Sequence, residues 1–510
     1  MLIKSQNLEL LYRISATARF NSERVEILEE LLGKVLTEGL ENVDIQKSLD
    51  DIKDAKEKEH DLFSPKGIFR NQKSITLFKI DQKQAMEYLY ATYLPITNSG
   101  LCGELGYKVA ISLAVCQSIS HVCGSKAKSL GFKNKTYKFN DKYEYGNLSF
   151  VCIPNEDYIK IWSKSITFKT EEILKDMDGI LLEGLGEHLD NVMEAGIKEA
   201  FNQLSFTQQD IQNGEPFRLE IKPLLKIDNN TYVLLGNFYI LRALMYRCET
   251  LLKDCKFYRE NSGKIFEINA LKVIYKKFNS DLHPNITYKI DNKNYELDGL
   301  LNLKNSSWFI ECASHPPDID ALFGDEIEIQ EDLEKSIIHC HDQGVRDIEN
   351  SELEAIKRFS PKEKKGIIII INPYYPNMAD SIYRYFESVA KELNKPVPEE
   401  IRNPLPEIKF PRYIVTYFEL EKILSEYDSD LFEEFLAWRT QENMPIACLD
   451  ELDYWDYFTK MYGDKEREQI FRMCQEKHNI IHYIGNRFND KSYLEKIMEN
   501  EAKEHGSEFL

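Results

Sequence analysis

The chain has 510 residues, 43% of them hydrophobic, and a formal net charge of −20. That length suits about three domains, and the charge opposes non-specific nucleic-acid binding by the surface as a whole, because phosphate contacts need Lys and Arg. No stretch approaches the roughly eighteen apolar residues of a membrane-spanning helix, which argues against a membrane partner.

The opening residues, MLIKSQNLELLYRI, lack the apolar core and small-residue cleavage site of a secretory signal. The ten cysteines show no CxxC and no zinc-like His/Cys spacing. Reduced, mostly buried thiols in a cytoplasm are expected. Residues 5 to about 60 are expected to be helical and charged, with Asp50–His60 as a linker or exposed helix. Packed helices are expected over Gln82–Leu94 and Tyr107–Leu130. Gly100, Gly103 and Gly106 match neither a P-loop nor a dinucleotide fingerprint, and suit a turn and helix start. Helical patterns return over Glu171–Asn202. Phe217–Gly236 predicts a hairpin turning at Asp228-Asn229-Asn230, followed by a helix over Phe238–Leu252.

Lys264–Phe278 predicts a helix with Leu271, Ile274 and Phe278 on one face. Glu267 falls on that same face. The bland account is a first-turn acid favoured by the helix dipole. Three strands follow, at Asn285–Ile290, Tyr295–Leu303 and Ser307–Ala313. Two of them carry an acid where an apolar residue is expected: Asp298 and, after twelve intervening residues, Glu311. A hairpin of that size sets both carboxylates on one sheet face, and strand alternation groups Glu311 with Phe309 and position 313. A buried carboxylate is costly unless it is paired or binds metal. A surface hairpin with solvated acids is the bland alternative, against which the flanks Leu297, Leu300, Leu301, Phe309 and Ile310 argue.

Glu331–Ile348 predicts a helix with Ile338, His341, Val345 and Ile348 on one face and Lys335, His339, Gln343 and Arg346 on another. Gly366–Ile371, with five successive isoleucines, suits a buried central strand. Ser381–Leu393 suits a helix, and Lys395–Pro411, with five prolines, an extended connector. A strand at Arg412–Tyr417 and helices from Glu419 to about Glu501 complete the chain. His478 and His482 have no catalytic Glu between them, so a zincin site is not expected.

The pair Asp298 and Glu311, with Asp298-Gly299-Leu300-Leu301 and Phe309-Ile310-Glu311-Cys312 around it, resembles the PD-(D/E)XK, or restriction-endonuclease-like, nuclease superfamily. There an Asp ends one strand and the next carries Glu-x-Lys. The resemblance spans roughly 255–420 and departs at one place, where Ala313 stands at the lysine position. It implies an α/β fold with an αβββαβ core, between a large, mostly helical N-terminal region and a helical C-terminal extension. The implied domains are 1–205, unassigned and suited to a sensor, partner or oligomerisation role; 206–255, a hairpin–helix support; 256–395, nuclease-like; and 396–510, connector and helices.

The implied activity is Mg²⁺-dependent phosphodiester hydrolysis, with Mn²⁺ as substitute, on DNA and in bacterial defence, in the cytoplasm. Its metal ligands would be Glu267, Asp298, Glu311 and the main-chain carbonyl of Cys312. Lys335 and Gln343 would be helpers from the next helix. Lys264, Arg346, Lys357, Arg358, Lys364 and Lys365 would contact nucleic acid, with Lys362 in the same basic cluster. Alanine cannot orient water or neutralise charge. Ala313 therefore implies a substituted inactive form, transfer of the lysine's role to Lys335, or a nuclease fold kept for binding nucleic acid or a partner, or for regulation.

Overall fold

The computed structural model describes residues 22–39, 42–47, 88–89, 91–93, 102–130, 164–181, 190–213, 221–235, 237–315, 331–332, 334–372, 409–426, 430–441 and 451–462. The expected elements at Asp50–His60, Ser381–Leu393 and most of the proline-rich connector lie outside them, as do His478 and His482. The chain divides into two units. One takes 1–59, 81–146 and 151–261, and the other 60–80, 147–150 and 262–510. The fold is mixed α/β, with one mixed sheet in each unit. No helix among the described residues is long and apolar enough to cross a membrane.

In the first unit, α1 spans Ser22–Glu38 and α2 spans Gly103–Ser129. Strand β1 (Thr167–Lys169) leads into α3 (Thr170–Leu181) and α4 (Asp190–Leu204). Strands β2 (Ser205–Phe206), β3 (Leu224–Lys226) and β4 (Thr231–Leu234) follow, then α5 (Asn237–Leu252). Helix α2 is apolar nearly all round and packs against α3, α4 and α5, as a core helix must. The sheet order is β1-β4-β3-β2, with β2 and β3 parallel. The expected turn holds: the Asp228 carboxylate accepts hydrogen bonds from the N–H groups of Asn230 and Thr231, both at 2.8 Å. The hairpin and α5, expected to support the nuclease-like domain, fall within this first unit.

The expectation of reduced thiols throughout is corrected by a Cys102–Cys255 disulfide with Cα atoms 5.7 Å apart. Cys116, Cys123, Cys248, Cys312 and Cys340 are free. The reduced expectation rested on sequence spacing, which does not register a pair 153 residues apart.

Helix α6 (Lys256–Phe278) carries the chain into the second unit. It starts earlier than its apolar spacing predicts. Strands β5 (Leu282–Ile290), β6 (Lys293–Asn302) and β7 (Ser306–Ala313) form an antiparallel meander. Helix α7 (His339–Glu349) crosses over to β8 (Lys364–Ile371), which pairs parallel with β7. Strand β9 (Arg412–Thr416) then adds parallel to β8, giving the order β5-β6-β7-β8-β9. Helices α8 (Tyr417–Glu426), α9 (Asp430–Arg439) and α10 (Glu451–Tyr462) follow.

Central strands β7 and β8 are buried on both faces, and all five isoleucines of β8 are 0% exposed. A capping box starts α8. The Glu419 carboxylate accepts the Thr416 N–H at 2.8 Å, and the Thr416 hydroxyl accepts the Glu419 N–H at 3.3 Å.

The buried stripe of α7 is not the expected one. Ile337, Cys340, His341, Gly344, Asp347 and Ile348 are buried, while Ile338 and Val345 are only partly so. Two local features account for this. The chain enters α7 through a π-helical stretch, Glu334–Ile338, whose wider turn rotates the register. Gly344 then lies so close to Ile367 that a Cβ would meet its Cγ2 at 2.7 Å, which fixes the face that meets the sheet.

Candidate functional site

Strands β6 and β7 pair from Asn302–Ser307 to Gly299–Ile310. One further step of that register sets Asp298 across from Glu311, but pairing stops there. On the other side the β5–β6 ladder also skips Asp298, opposite Asn285, whose φ is 54°. Asp298 is thus the one residue of β6 in neither ladder. Its Oδ2 accepts a hydrogen bond from the Cys312 main-chain N–H at 2.8 Å, in place of the backbone partner that β6 no longer supplies. In an extended strand a residue's C=O points the same way as its N–H. The Cys312 carbonyl is therefore directed toward Asp298 too.

Since α7 approaches the sheet at Ile367, and Ile367 and Ile369 pair with Phe309 and Glu311, the side chains of Phe309, Glu311 and Ala313 point toward α7. Glu311 is 1% exposed and its Oε1 has no hydrogen-bond partner. Burial pushes its carboxyl well above the usual range, and the charges of Asp298 and Asp347 push it further. The Asp298 carboxyl is pushed up to about 7, first by burial and then by the charge of Glu267, against the Cys312 N–H and Lys264.

Glu267, on α6, is buried and raised by that burial. Lys264 opposes the shift, with Nζ 2.7 Å from the Glu267 carboxylate and 2.9 Å from Glu296, and donates also to Asn285. The acids thus form a line: Glu267 acts on Asp298, Asp298 on Glu311, and Asp347 on Glu311 from α7.

Asp347 and Tyr288 were missed in the sequence. Asp347 is fully buried. Its Oδ1 accepts hydrogen bonds from the Tyr288 hydroxyl and, at 2.9 Å, from Arg346 Nε. Arg346 also lies over the Tyr295 ring, 4.5 Å from its centre. The faint signal for Asp347 is its i+3 spacing from Gly344.

The other expected residues are placed as follows. Lys335 is exposed and pairs with Glu331 at 2.9 Å, and its charge is not among the main ones acting on Asp298 or Glu311. Gln343 is partly exposed on α7. Lys264 and Arg346 do lie beside the acids, each already bound to them.

The basic cluster is elsewhere, which corrects the expectation that it lines the same groove. Lys357 pairs with Glu352, Arg358 lies over the Phe359 ring, and Lys365 donates to the Ser351 hydroxyl at 2.6 Å. Lys364 opens β8 opposite Ser306, whereas Glu311 stands opposite Ile369. Five residues of strand separate those levels, roughly 16 Å. At the Lys364 end a cleft of about 870 Å³ is lined by Trp308, Lys364, Lys365, Phe410, Glu433 and Thr440, among others.

Among the described residues no three His, Cys, Asp or Glu side chains stand together as a ready-made metal shell. Mg²⁺ does not require one, because it keeps several waters and takes one or two carboxylates. Asp298, the unpartnered Glu311 oxygen and the Cys312 carbonyl suit that need. Glu267, tied to Lys264, reaches the group only through Asp298. No family model, curated protein or solved structure matches this chain.

Proposed function

We propose that this protein has a restriction-endonuclease-like core and is a Mg²⁺-dependent phosphodiesterase of nucleic acid, DNA first, in a form that lacks the lysine at position 313. The observation that carries this reading is the pair of cross-strand acids. One has a buried oxygen without a partner, and the other replaces a lost backbone contact. The order helix, three strands, helix, strand supports it. Asp298 and Glu311 would hold the cation, with the Cys312 carbonyl as a third oxygen. A bound divalent cation supplies charge neutralisation and an activated water. Asp298, held near neutrality in pKa, would exchange its proton for the cation at ordinary pH.

A second reading is a nuclease fold that binds without cutting. Ala313 favours it, because its buried methyl group offers no charge beside Glu311. Restoring the lysine separates the two. Ala313→Lys with Mg²⁺ or Mn²⁺ is expected to degrade DNA, and adding Asp298→Ala to it to abolish cleavage. An Ala313→Lys protein that folds, binds Mn²⁺ and cuts neither DNA nor RNA would overturn the nuclease reading. A role in defence, and a partner or second copy bound through the N-terminal unit, belong to the same proposal and are tested by phage challenge of cells carrying the Ala313→Lys form.

A further inference from the structure

A buried carboxylate oxygen without a hydrogen-bond donor is costly, since desolvation is not repaid. Two such oxygens belong to neighbouring acids here. Glu311 Oε1 on β7 and Asp347 Oδ2 on α7 both lack a partner, and their residues are 1% and 0% exposed. Asp347 is not a loose side chain. Tyr288 from β5 and Arg346 from α7 grip its Oδ1, and Tyr288 stacks on Tyr295 with ring centres 5.7 Å apart. That grip sets the carboxylate's orientation and leaves its other oxygen unused. An acid needed only to anchor Tyr288 and Arg346 would not have to be buried against Glu311, where like charges repel.

We propose that Asp347 is a further ligand of the divalent-cation site, so that Glu311 is shared between Asp298 on one side and Asp347 on the other. This rests on the reading of Asp298 and Glu311 as cation ligands and extends it to the helix behind them. An oxygen-seeking cation such as Mg²⁺ or Mn²⁺ would supply the positive charge that neither unpartnered oxygen finds in the protein. Tyr288 and Arg346 are then positioning residues, which hold Asp347 without touching the cation.

The test is Mn²⁺ binding to the full chain, followed by electron paramagnetic resonance, together with thermal unfolding with and without Mn²⁺. Asp347→Asn is expected to weaken Mn²⁺ by at least about tenfold, as loss of a group in or around a metal site does, and to abolish the Mn²⁺-induced rise in Tm. Without metal its Tm is expected to equal or exceed that of the parent, because a like-charge contact is gone. Asp347→Ser must give the same loss of Mn²⁺, whereas Tyr288→Phe must keep Mn²⁺ within about threefold, an outer-shell effect at the mild end.

Parent-like Mn²⁺ affinity in Asp347→Asn, with affinity lost in Asp298→Asn, would overturn this inference and leave the wider reading standing. Absence of Mn²⁺ binding in the parent would overturn both. A lower metal-free Tm in Asp347→Asn with the Mn²⁺ rise intact, or failure of both Asp347 variants to fold, would assign Asp347 a purely structural role and likewise overturn the inference.

Discussion

At the scale of single residues, Asp298 is the position where charge and backbone meet. Its folded carboxyl titrates at about 7, against an ordinary value of 3.8. The folded state therefore keeps a proton that the unfolded chain gives up. The stabilisation is complete below the unfolded value and is lost as pH rises through the folded one. Metal-free protein should accordingly lose stability between about pH 4 and pH 7. Asp298→Asn should flatten that decline, as read from urea midpoints across the range. An unchanged decline would mean that the acid is not buried as described. Glu311 and Asp298 were legible in the sequence because an acid in a run of Leu, Ile and Phe breaks strand alternation visibly. Asp347 was not, because it sits beside Arg346 in a helix rich in polar residues, where an acid is unremarked until burial is known. The basic cluster was misplaced for a related reason. Lys364 and Glu311 are near in sequence terms but lie at different levels of two parallel strands.

Among elements, the approach of α7 to the sheet decides whether Asp347 reaches Glu311. Gly344 permits that approach, since a Cβ there would meet Ile367 at 2.7 Å and again at 3.1 Å. Gly344→Ala should cost about 1–3 kcal/mol by overpacking, and should weaken Mn²⁺ by shifting α7. Gly366→Ala provides the contrast. Its Cβ would come within 2.4 Å of the Trp308 ring, at the opposite end of the strands from Glu311. A loss of stability in the same range is expected there, with Mn²⁺ affinity unchanged. Equal effects of the two substitutions on Mn²⁺ would separate the site from the placement of α7. The strands and the crossover helix were readable from period-2 and period-3.6 patterns. The π-helical entry to α7 was not, because one extra residue per turn leaves the apolar spacing almost intact while rotating every face after it.

On the scale of the whole molecule, the two units have separate sheets and separate means of stabilisation. The first holds the Cys102–Cys255 disulfide and the second the carboxylates. Calorimetry should resolve two transitions. Reducing agent should lower only the one that limited proteolysis assigns to the first unit, since removing a cross-link frees the unfolded chain. Mn²⁺ should raise only the other, because a ligand stabilises the unit that binds it. A single transition moved by both agents would show that the units unfold as one. The boundary inside α6 was not legible, because the helix continues through it without a proline, a glycine or a change of composition at 261–262.

The most direct measurement is an anomalous difference map from crystals of the full chain soaked in Mn²⁺. A single peak within bonding distance of both the Asp298 and Glu311 carboxylates is expected, and it should vanish in Asp298→Ala crystals. Well-ordered density for both acids with no peak between them, at a Mn²⁺ concentration that labels other acidic positions, would contradict the account.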